Sequence, residues 1–114
     1  MNFEEIFSRT KEYLTQCGDI DYKGHLAVEV FIKGDGSGTF YIEVNDGKIA
    51  VEPYDYHDHD CKLIVSAKNF FKLADGSLNP VAAFTTGRLK IERSIEKALE
   101  FQKVLEAVGK NKKK

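Results

Sequence analysis

The chain has 114 residues, with 17 lysines and arginines against 18 aspartates and glutamates, which gives a net charge of −1. That length builds one hydrophobic core and leaves no room for a second, so we expect residues 1–114 to fold as a single domain. The balanced charge argues against a dedicated nucleic-acid-binding protein, because such proteins attract phosphates with a strongly basic surface.

The first half of the sequence predicts a helix followed by strands. Apolar residues recur at helical spacing near the N-terminus, where Asn2 and Glu5 have the form of a capping box, and Gly18 is expected to end the helix. Apolar and other residues then alternate, which is the strand period, and the segments GDGSG and NDG provide turns between strands. The four predicted strands begin at Gly24, Thr39, Lys48 and Cys61.

The second half returns to helical spacing. Ser66 is a cap for the short segment AKNFFKLA, and Asn79 before Pro80 predicts another short helix, PVAAFTT. RLKIE reads as a fifth strand, and Ser94 begins a last helix with a wide apolar stripe. The expected fold class is therefore α+β, with a five-stranded, mostly antiparallel sheet and helices packed on one face.

The segment DGSLNPVAAFTTGRLKIERSIEKALEFQKVL, residues 75–105, resembles the C-terminal signature of the sterol carrier protein 2 (SCP2) family. Upstream, VNDGK and DCKLIVS are similar to the family's strands, so the likeness covers roughly residues 20–106. One position departs from the pattern, since Arg93 stands where the family commonly has glycine before the last helix. The residues that match the signature are Gly76, Leu78, Asn79, Pro80, Ala83, Phe84, Gly87, Leu89, Lys90 and Ile91.

This resemblance implies a non-catalytic carrier of a sterol, fatty acid, fatty acyl-CoA or phospholipid, held in an apolar tunnel between sheet and helices, with no cofactor. The partner it implies is a lipid or fatty acyl ligand. Two alternatives stay open: an accessory module that presents a lipid-like intermediate to a partner enzyme, and a metal-dependent enzyme that uses His57 and His59. The effect of Arg93 on the opening of the tunnel, the particular lipid and the oligomeric state are not fixed by the sequence.

The two short helices point to the ligand site. They are too small to seal a five-stranded sheet as one long helix would, so an apolar gap is expected beneath them. We also expect Phe84 to lie under the sheet, so that Phe84→Ala would cost about 3 to 5 kcal/mol. The predicted ligand-binding residues are Phe70, Phe71, Leu73, Val81, Phe84, Leu89, Ile91, Phe101 and Leu105.

The segment YDYHDHDCK, residues 54–62, is rich in metal-ligand residue types. In an extended chain His57 and His59 would share one side and Asp58 and Asp60 the other, so four ligands would not converge without a sharp turn. We therefore interpret it as a solvated polar turn, in which replacing both histidines with alanine would change stability by less than about 1 kcal/mol.

The cysteines and the two ends of the sequence indicate the cellular compartment of the protein. Cys17 and Cys61 lie within apolar patterns, as expected of buried free thiols in a reducing compartment. No run of about 18 uncharged apolar residues is present, and the N-terminus is acidic, so we expect a cytoplasmic protein. Residues 109–114 are expected to form a frayed basic tail, with at most weak contact to an anionic membrane surface.

Overall fold

The computed structural model describes residues 1–16, 18–54 and 58–112, with Lys112 described by its backbone alone. These residues form five strands and four helices, which confirms the predicted α+β class. In chain order the elements are α1 (Phe3–Thr15), β1 (His25–Lys33), β2 (Gly38–Asn45), β3 (Lys48–Glu52), β4 (Cys61–Ser66), α2 (Ala67–Asp75), α3 (Pro80–Thr85), β5 (Leu89–Arg93) and α4 (Ile95–Lys112).

The strands form one sheet in the order β3-β2-β1-β4-β5. Three neighbouring pairs are antiparallel, and only β1 with β4 is parallel among the described strands. Parallel neighbours need a long connection, which here includes β2 and β3. His59 and Asp60, just before β4, lie beside β1.

One face of the sheet is apolar across all five strands. The register aligns Val30 with Phe40 on one side and with Leu63 on the other, and Leu63 in turn with Ile91. Because side chains alternate along each strand, these residues share a face. The opposite face carries Glu29 and other polar side chains, so the helices are confined to the apolar side, as predicted.

Aromatic rings connect the helices to this apolar face. The Phe40 ring on β2 lies 6.3 Å from the ring of Phe3 and 6.0 Å from that of Phe7, both on α1. On its other side it meets Phe70 of α2 edge to face, with ring centroids 5.8 Å apart. Such aromatic pairs add about 0.5 to 1.5 kcal/mol to the burial of their area. They tie α1 and α2 to the same part of the sheet.

The predicted helix starts are confirmed. The Asn2 side chain accepts a hydrogen bond from the Glu5 backbone N–H at 2.9 Å, and Ser66 accepts one from Asn69 at 3.3 Å. Ser94 Oγ likewise accepts from the Lys97 N–H at 3.1 Å. Each cap satisfies a donor that the helix itself leaves unpaired.

The turn between β2 and β3 requires glycine. Asp46 and Gly47 have φ of 48° and 87°, which is the pattern of a two-residue hairpin turn with both central residues left-handed. The Gly47 carbonyl also accepts a hydrogen bond from Ile20 N at 2.9 Å, so the chain before β1 passes directly over this position. A side chain there would meet the Ile20 carbonyl.

The ends of the first and last helices differ from expectation. Helix α1 ends at Thr15 with Gln16 as its cap, and the prediction for Cys17 lies outside the described residues. Helix α4 continues to Lys112, into the segment 109–114 that was expected to be a frayed tail. Residues 113 and 114 lie outside the described part of the chain.

Candidate functional site

Helices α2, α3 and α4 enclose a cavity of about 210 Å³ against strands β4 and β5, which we call the apolar cavity. Apart from Gln102, every residue that lines it is apolar. The short helices do leave a gap above the sheet, as their lengths suggested. The lining residues are Leu63, Phe70, Leu73, Pro80, Val81, Phe84, Leu89, Ile91, Ile95, Ala98, Leu99, Phe101, Gln102 and Leu105.

The structure brings eight of the nine predicted site residues together around the apolar cavity. The exception is Phe71, which lines a separate cavity of about 280 Å³ between α1 and α2. Adjacent residues on a helix point about 100° apart, so Phe71 is directed away from the apolar cavity that Phe70 lines. The ring of Phe70 lies between the two cavities and lines both of them.

Large apolar side chains are exposed at the mouth of the apolar cavity. Four of its lining residues are 44 to 60 % exposed: Val81, Phe84, Ile95 and Leu99. The expectation that Phe84 lies under the sheet is wrong, because its side chain is 45 % exposed. Helix α3 is a single six-residue segment, and the residue it buries is Ala83. Phe84 therefore forms part of the rim and contributes little to the core.

Six lining residues were absent from the predicted set. Three of them, Ile95, Ala98 and Leu99, lie on the first turns of α4 at spacings of one, three and four residues. The apolar stripe of that helix was visible in the sequence, and its N-terminal part could have been included on the same grounds as Phe101 and Leu105. The other three are Leu63, Pro80 and Gln102.

A second, more polar cavity of about 570 Å³ adjoins the first, and we call it the polar cavity. Leu73, Pro80, Gln102 and Leu105 line both of them. The polar cavity lies between the turn that joins α2 to α3 and the second half of α4. Its further lining residues are Ala74, Asp75, Gly76, Ser77, Leu78, Asn79, Glu106, Gly109 and Lys110.

Arg93 sets the entry into α4, and so places the mouth residues Ile95 and Leu99. Its φ is 68°, the left-handed conformation that glycine adopts without cost. The bend is thus made by arginine itself, where the family pattern has glycine. Ser94 N then donates to the Asp60 carbonyl at 3.4 Å, which joins the start of α4 to the segment before β4.

The histidine-rich segment is less solvated than expected. The His59 side chain is 11 % exposed, and its Nδ1 lies 4.0 Å from Oε1 of Glu29, a buried carboxylate on β1. Asp60 Oδ2 accepts a hydrogen bond from Ala27 N at 2.8 Å. The interpretation of a solvated turn is therefore wrong for His59 and Asp60, which pack against β1. His57 lies outside the described residues.

No group of three or more His, Cys, Asp or Glu side chains among the described residues is arranged to hold a metal ion. His25 lies instead beside Glu43, with Nε2 and Oε2 2.7 Å apart. Burial, and secondarily the Asp60 carboxylate, raises the pKa of the Cys61 thiol from 9.0 to about 12. Such a thiol is a poor nucleophile at neutral pH.

Within residues 1–16, 18–54 and 58–112, no helix is both long and apolar enough to cross a bilayer.

Comparison with known proteins agrees with the fold. The model of the SCP-2 sterol transfer family matches residues 18–106. Sterol carrier protein 2 of rabbit (Oryctolagus cuniculus) is 28 % identical over 111 residues, which are 94 % of this chain and 20 % of the rabbit protein. The chain thus spans about a fifth of the length of the curated relatives it matches.

Two solved structures show the same fold at low identity. A "UbiJ-SCP2 Ubiquinone synthesis protein" superposes with a TM-score of 0.64 at 19 % identity, over 88 % of this chain and 80 % of that one. Palmitated SCP2L2 from Aedes aegypti gives a TM-score of 0.58 at 15 % identity, over 92 % of this chain and 95 % of that one. At these identities the likeness concerns the fold alone. Because the family model covers most of the sequence, the chain belongs to the SCP-2 sterol transfer family.

Proposed function

We propose that this domain binds and transfers a hydrophobic ligand in the apolar cavity, without catalysing a reaction on it. One observation carries the proposal: four large apolar side chains are exposed together at the mouth of an apolar cavity. These four are among the six large hydrophobic side chains that are exposed in the described part of the chain. A ligand that covers them gains roughly 25 cal/mol for each Å² of apolar surface removed from water.

The size of the cavities suits a ligand with a long apolar part. An apolar cavity of about 150 Å³ is enough to hold benzene, and the apolar cavity measures about 210 Å³. Together with the polar cavity of about 570 Å³, the space falls within the range of about 300 to 1,000 Å³ that is typical of ligand sites. A sterol, a fatty acyl chain or one chain of a phospholipid fits this description.

Burial of a sixteen-carbon chain is worth about 0.8 kcal/mol per methylene, or roughly 12 kcal/mol before losses. Several kcal/mol are lost when the ligand and the protein side chains become ordered, which leaves an affinity on the order of micromolar. A protein that transfers its ligand must also release it, and this affinity allows both.

Filling the cavity tests the proposal. Ala98 lines the apolar cavity, so Ala98→Phe should occupy the space and abolish uptake of a fluorescent long-chain ligand while the domain stays folded. The matched control is Ala82→Phe on α3, because Ala82 is exposed and does not line the cavity. Uptake that survives Ala98→Phe in a folded protein would place the ligand elsewhere and contradict the proposal.

An accessory role is the second candidate. It is favoured by one observation: the fold of the chain matches that of a solved ubiquinone synthesis protein. In this role the domain would present a lipid-like intermediate to a partner enzyme. A domain that holds ligand but does not move it between vesicles, and that co-purifies with an enzyme, would favour this candidate over a carrier acting alone.

A cytoplasmic location is compatible with either role. The lysine-rich C-terminus would add at most weak attraction to an anionic membrane surface, about 1 kcal/mol for each lysine near that surface. Sedimentation with vesicles that contain phosphatidylserine, compared with uncharged vesicles, measures that contribution. Equal sedimentation with the two kinds of vesicle would remove it from the proposal.

A further inference from the structure

The polar cavity is the place where the head of a bound amphiphile would lie. Its walls are continuous with those of the apolar cavity through Leu73, Gln102 and Leu105. A polar head inside the apolar cavity would lose its hydrogen bonds to water, so the tail belongs there and the head belongs in the polar cavity. This step rests on the proposed function.

The charges around the polar cavity are mainly negative. Asp75 at the end of α2 and Glu106 on α4 both line it, and Lys110 is the cation among the described lining residues. Within the described part of the chain neither carboxylate forms an ion pair; Asp75 accepts a hydrogen bond from Ser77 N, and Glu106 accepts one from Gln102. The C-terminal end of α2, with its partial negative charge, points to the same space.

The backbone at the start of α3, residues 80–83, offers no compensating site for an anion. The start of α3 also lines the polar cavity, but its N–H groups are already used. Asn79 Oδ1 accepts from Val81 N at 2.8 Å and from Ala82 N at 3.1 Å, and the Asn79 carbonyl accepts from Ala83 N at 2.9 Å. Pro80 has no N–H. A carboxylate head would therefore face two carboxylates against the one ammonium of Lys110, and would find no free backbone N–H at the start of α3.

From this arrangement we infer that the site selects its ligand by head group, and binds a single-chain amphiphile with an uncharged hydroxyl or a cationic head in preference to one with a carboxylate. Both acidic side chains are exposed, so solvent weakens their effect. Two such charges together correspond to a preference on the order of fivefold at low ionic strength. The discrimination between amine and carboxylate shrinks as added salt screens the charges.

Three ligands with the same tail test the inference: dodecanol, dodecylamine and dodecanoate, each kept below its micelle concentration at pH 7. Each is titrated to displace the uncharged dye N-phenyl-1-naphthylamine from the protein. We expect dodecanol and dodecylamine to displace the dye at about one fifth of the concentration that dodecanoate requires. If all three displace it equally, or dodecanoate does so best, the head-group inference is overturned while the proposed function stands. If none displaces it, both fail.

Isosteric variants assign the preference to the polar cavity. In Asp75→Asn/Glu106→Gln the amide oxygens still accept the hydrogen bonds from Ser77 and Gln102, so the fold is kept, and dodecanoate should bind as well as dodecanol. The matched control is Glu96→Gln, which removes one negative charge from an exposed position of α4 outside either cavity. A preference that persists in the double variant, or that the control also abolishes, overturns the assignment.

Discussion

The guanidinium Nη1 of Arg93 donates a hydrogen bond to the carbonyl oxygen of His59 across 2.7 Å. This bond joins the last residue of β5 to the segment that precedes β4. The backbone of Arg93 is left-handed, with φ of 68°. An L-residue adopts this conformation at a cost of about 1 kcal/mol or more. The arginine side chain thus offsets a strain that its own backbone creates.

Two substitutions at Arg93 separate these effects. Arg93→Ala loses the charged hydrogen bond and keeps the strain, so it should lower the free energy of unfolding by about 1.5 to 3 kcal/mol. Arg93→Gly loses the same bond but relieves the strain, so it should cost about 1 kcal/mol less than the alanine variant. Urea denaturation of the three proteins measures both differences. Equal losses in the two variants would show that the backbone is not strained.

Lys62 should stabilise the buried Glu29 carboxylate on the polar face of the sheet. Glu29 is 6 % exposed, and Lys62 Nζ lies 3.5 Å from its Oε2. Lys62→Met removes that partner and should cost about 1 to 2 kcal/mol, less than a fully buried pair because Lys62 is partly exposed. The double variant Glu29→Gln/Lys62→Met should recover part of the loss. If the double variant is less stable than Lys62→Met, loss of the Glu29–Lys62 ion pair is not the cause of the lower stability.

The thiol of Cys61 should make stability fall at alkaline pH. Its pKa is raised from 9.0 to about 12 in the fold, so only the unfolded chain ionises it between these values. Its stabilising contribution is complete below pH 9 and declines as the pH rises toward 12, by about 1.4 kcal/mol per pH unit. Denaturation of wild type and Cys61→Ala at pH 8, 9, 10 and 11 tests this. The stability difference between the two proteins should shrink above pH 9, and a constant difference would contradict the prediction.

Local features of the fold could be predicted because their causes lie within a few residues. The caps at Asn2, Ser66 and Asn79 each satisfy backbone donors two or three positions away, so the sequence alone identifies them. The environment of His59 could not be predicted in this way. It depends on the parallel pairing of β1 with β4, which brings Glu29, thirty positions earlier in the chain, beside it.

Most of the residues predicted for the ligand site line the apolar cavity, but how deeply each one is buried was not predicted. Apolar side chains on short helices indicated a cavity, but their spacing does not say which of them lie at its mouth. Phe84 was expected in the core because PVAAFTT is apolar almost throughout; in the structure α3 lies at the edge, where Ala83 faces inward and Phe84 faces the opening. Burial depends on which elements cover the helix, and this is a tertiary property.

The last prediction uses three phenylalanines that differ in position but not in chemistry. Phe70 is 1 % exposed, so Phe70→Ala should cost about 3 to 5 kcal/mol. Phe84 is 45 % exposed, so Phe84→Ala should cost less than about 1.5 kcal/mol. The same Phe84 variant should nevertheless weaken binding of dodecanol, because the ring lines the mouth of the apolar cavity. Loss of roughly half of that side chain's contact corresponds to a several-fold weaker affinity.

Phe71→Ala is the control for this pair, since Phe71 lines the other cavity and should leave dodecanol affinity unchanged. Dye displacement gives the affinities, and thermal unfolding with and without saturating dodecanol gives the stabilities. Ligand that binds only the folded state raises the unfolding temperature, and this rise should be smaller for Phe84→Ala than for Phe71→Ala. If Phe71→Ala weakens binding and Phe84→Ala does not, the tail occupies the cavity between α1 and α2, and the apolar cavity is not the ligand site.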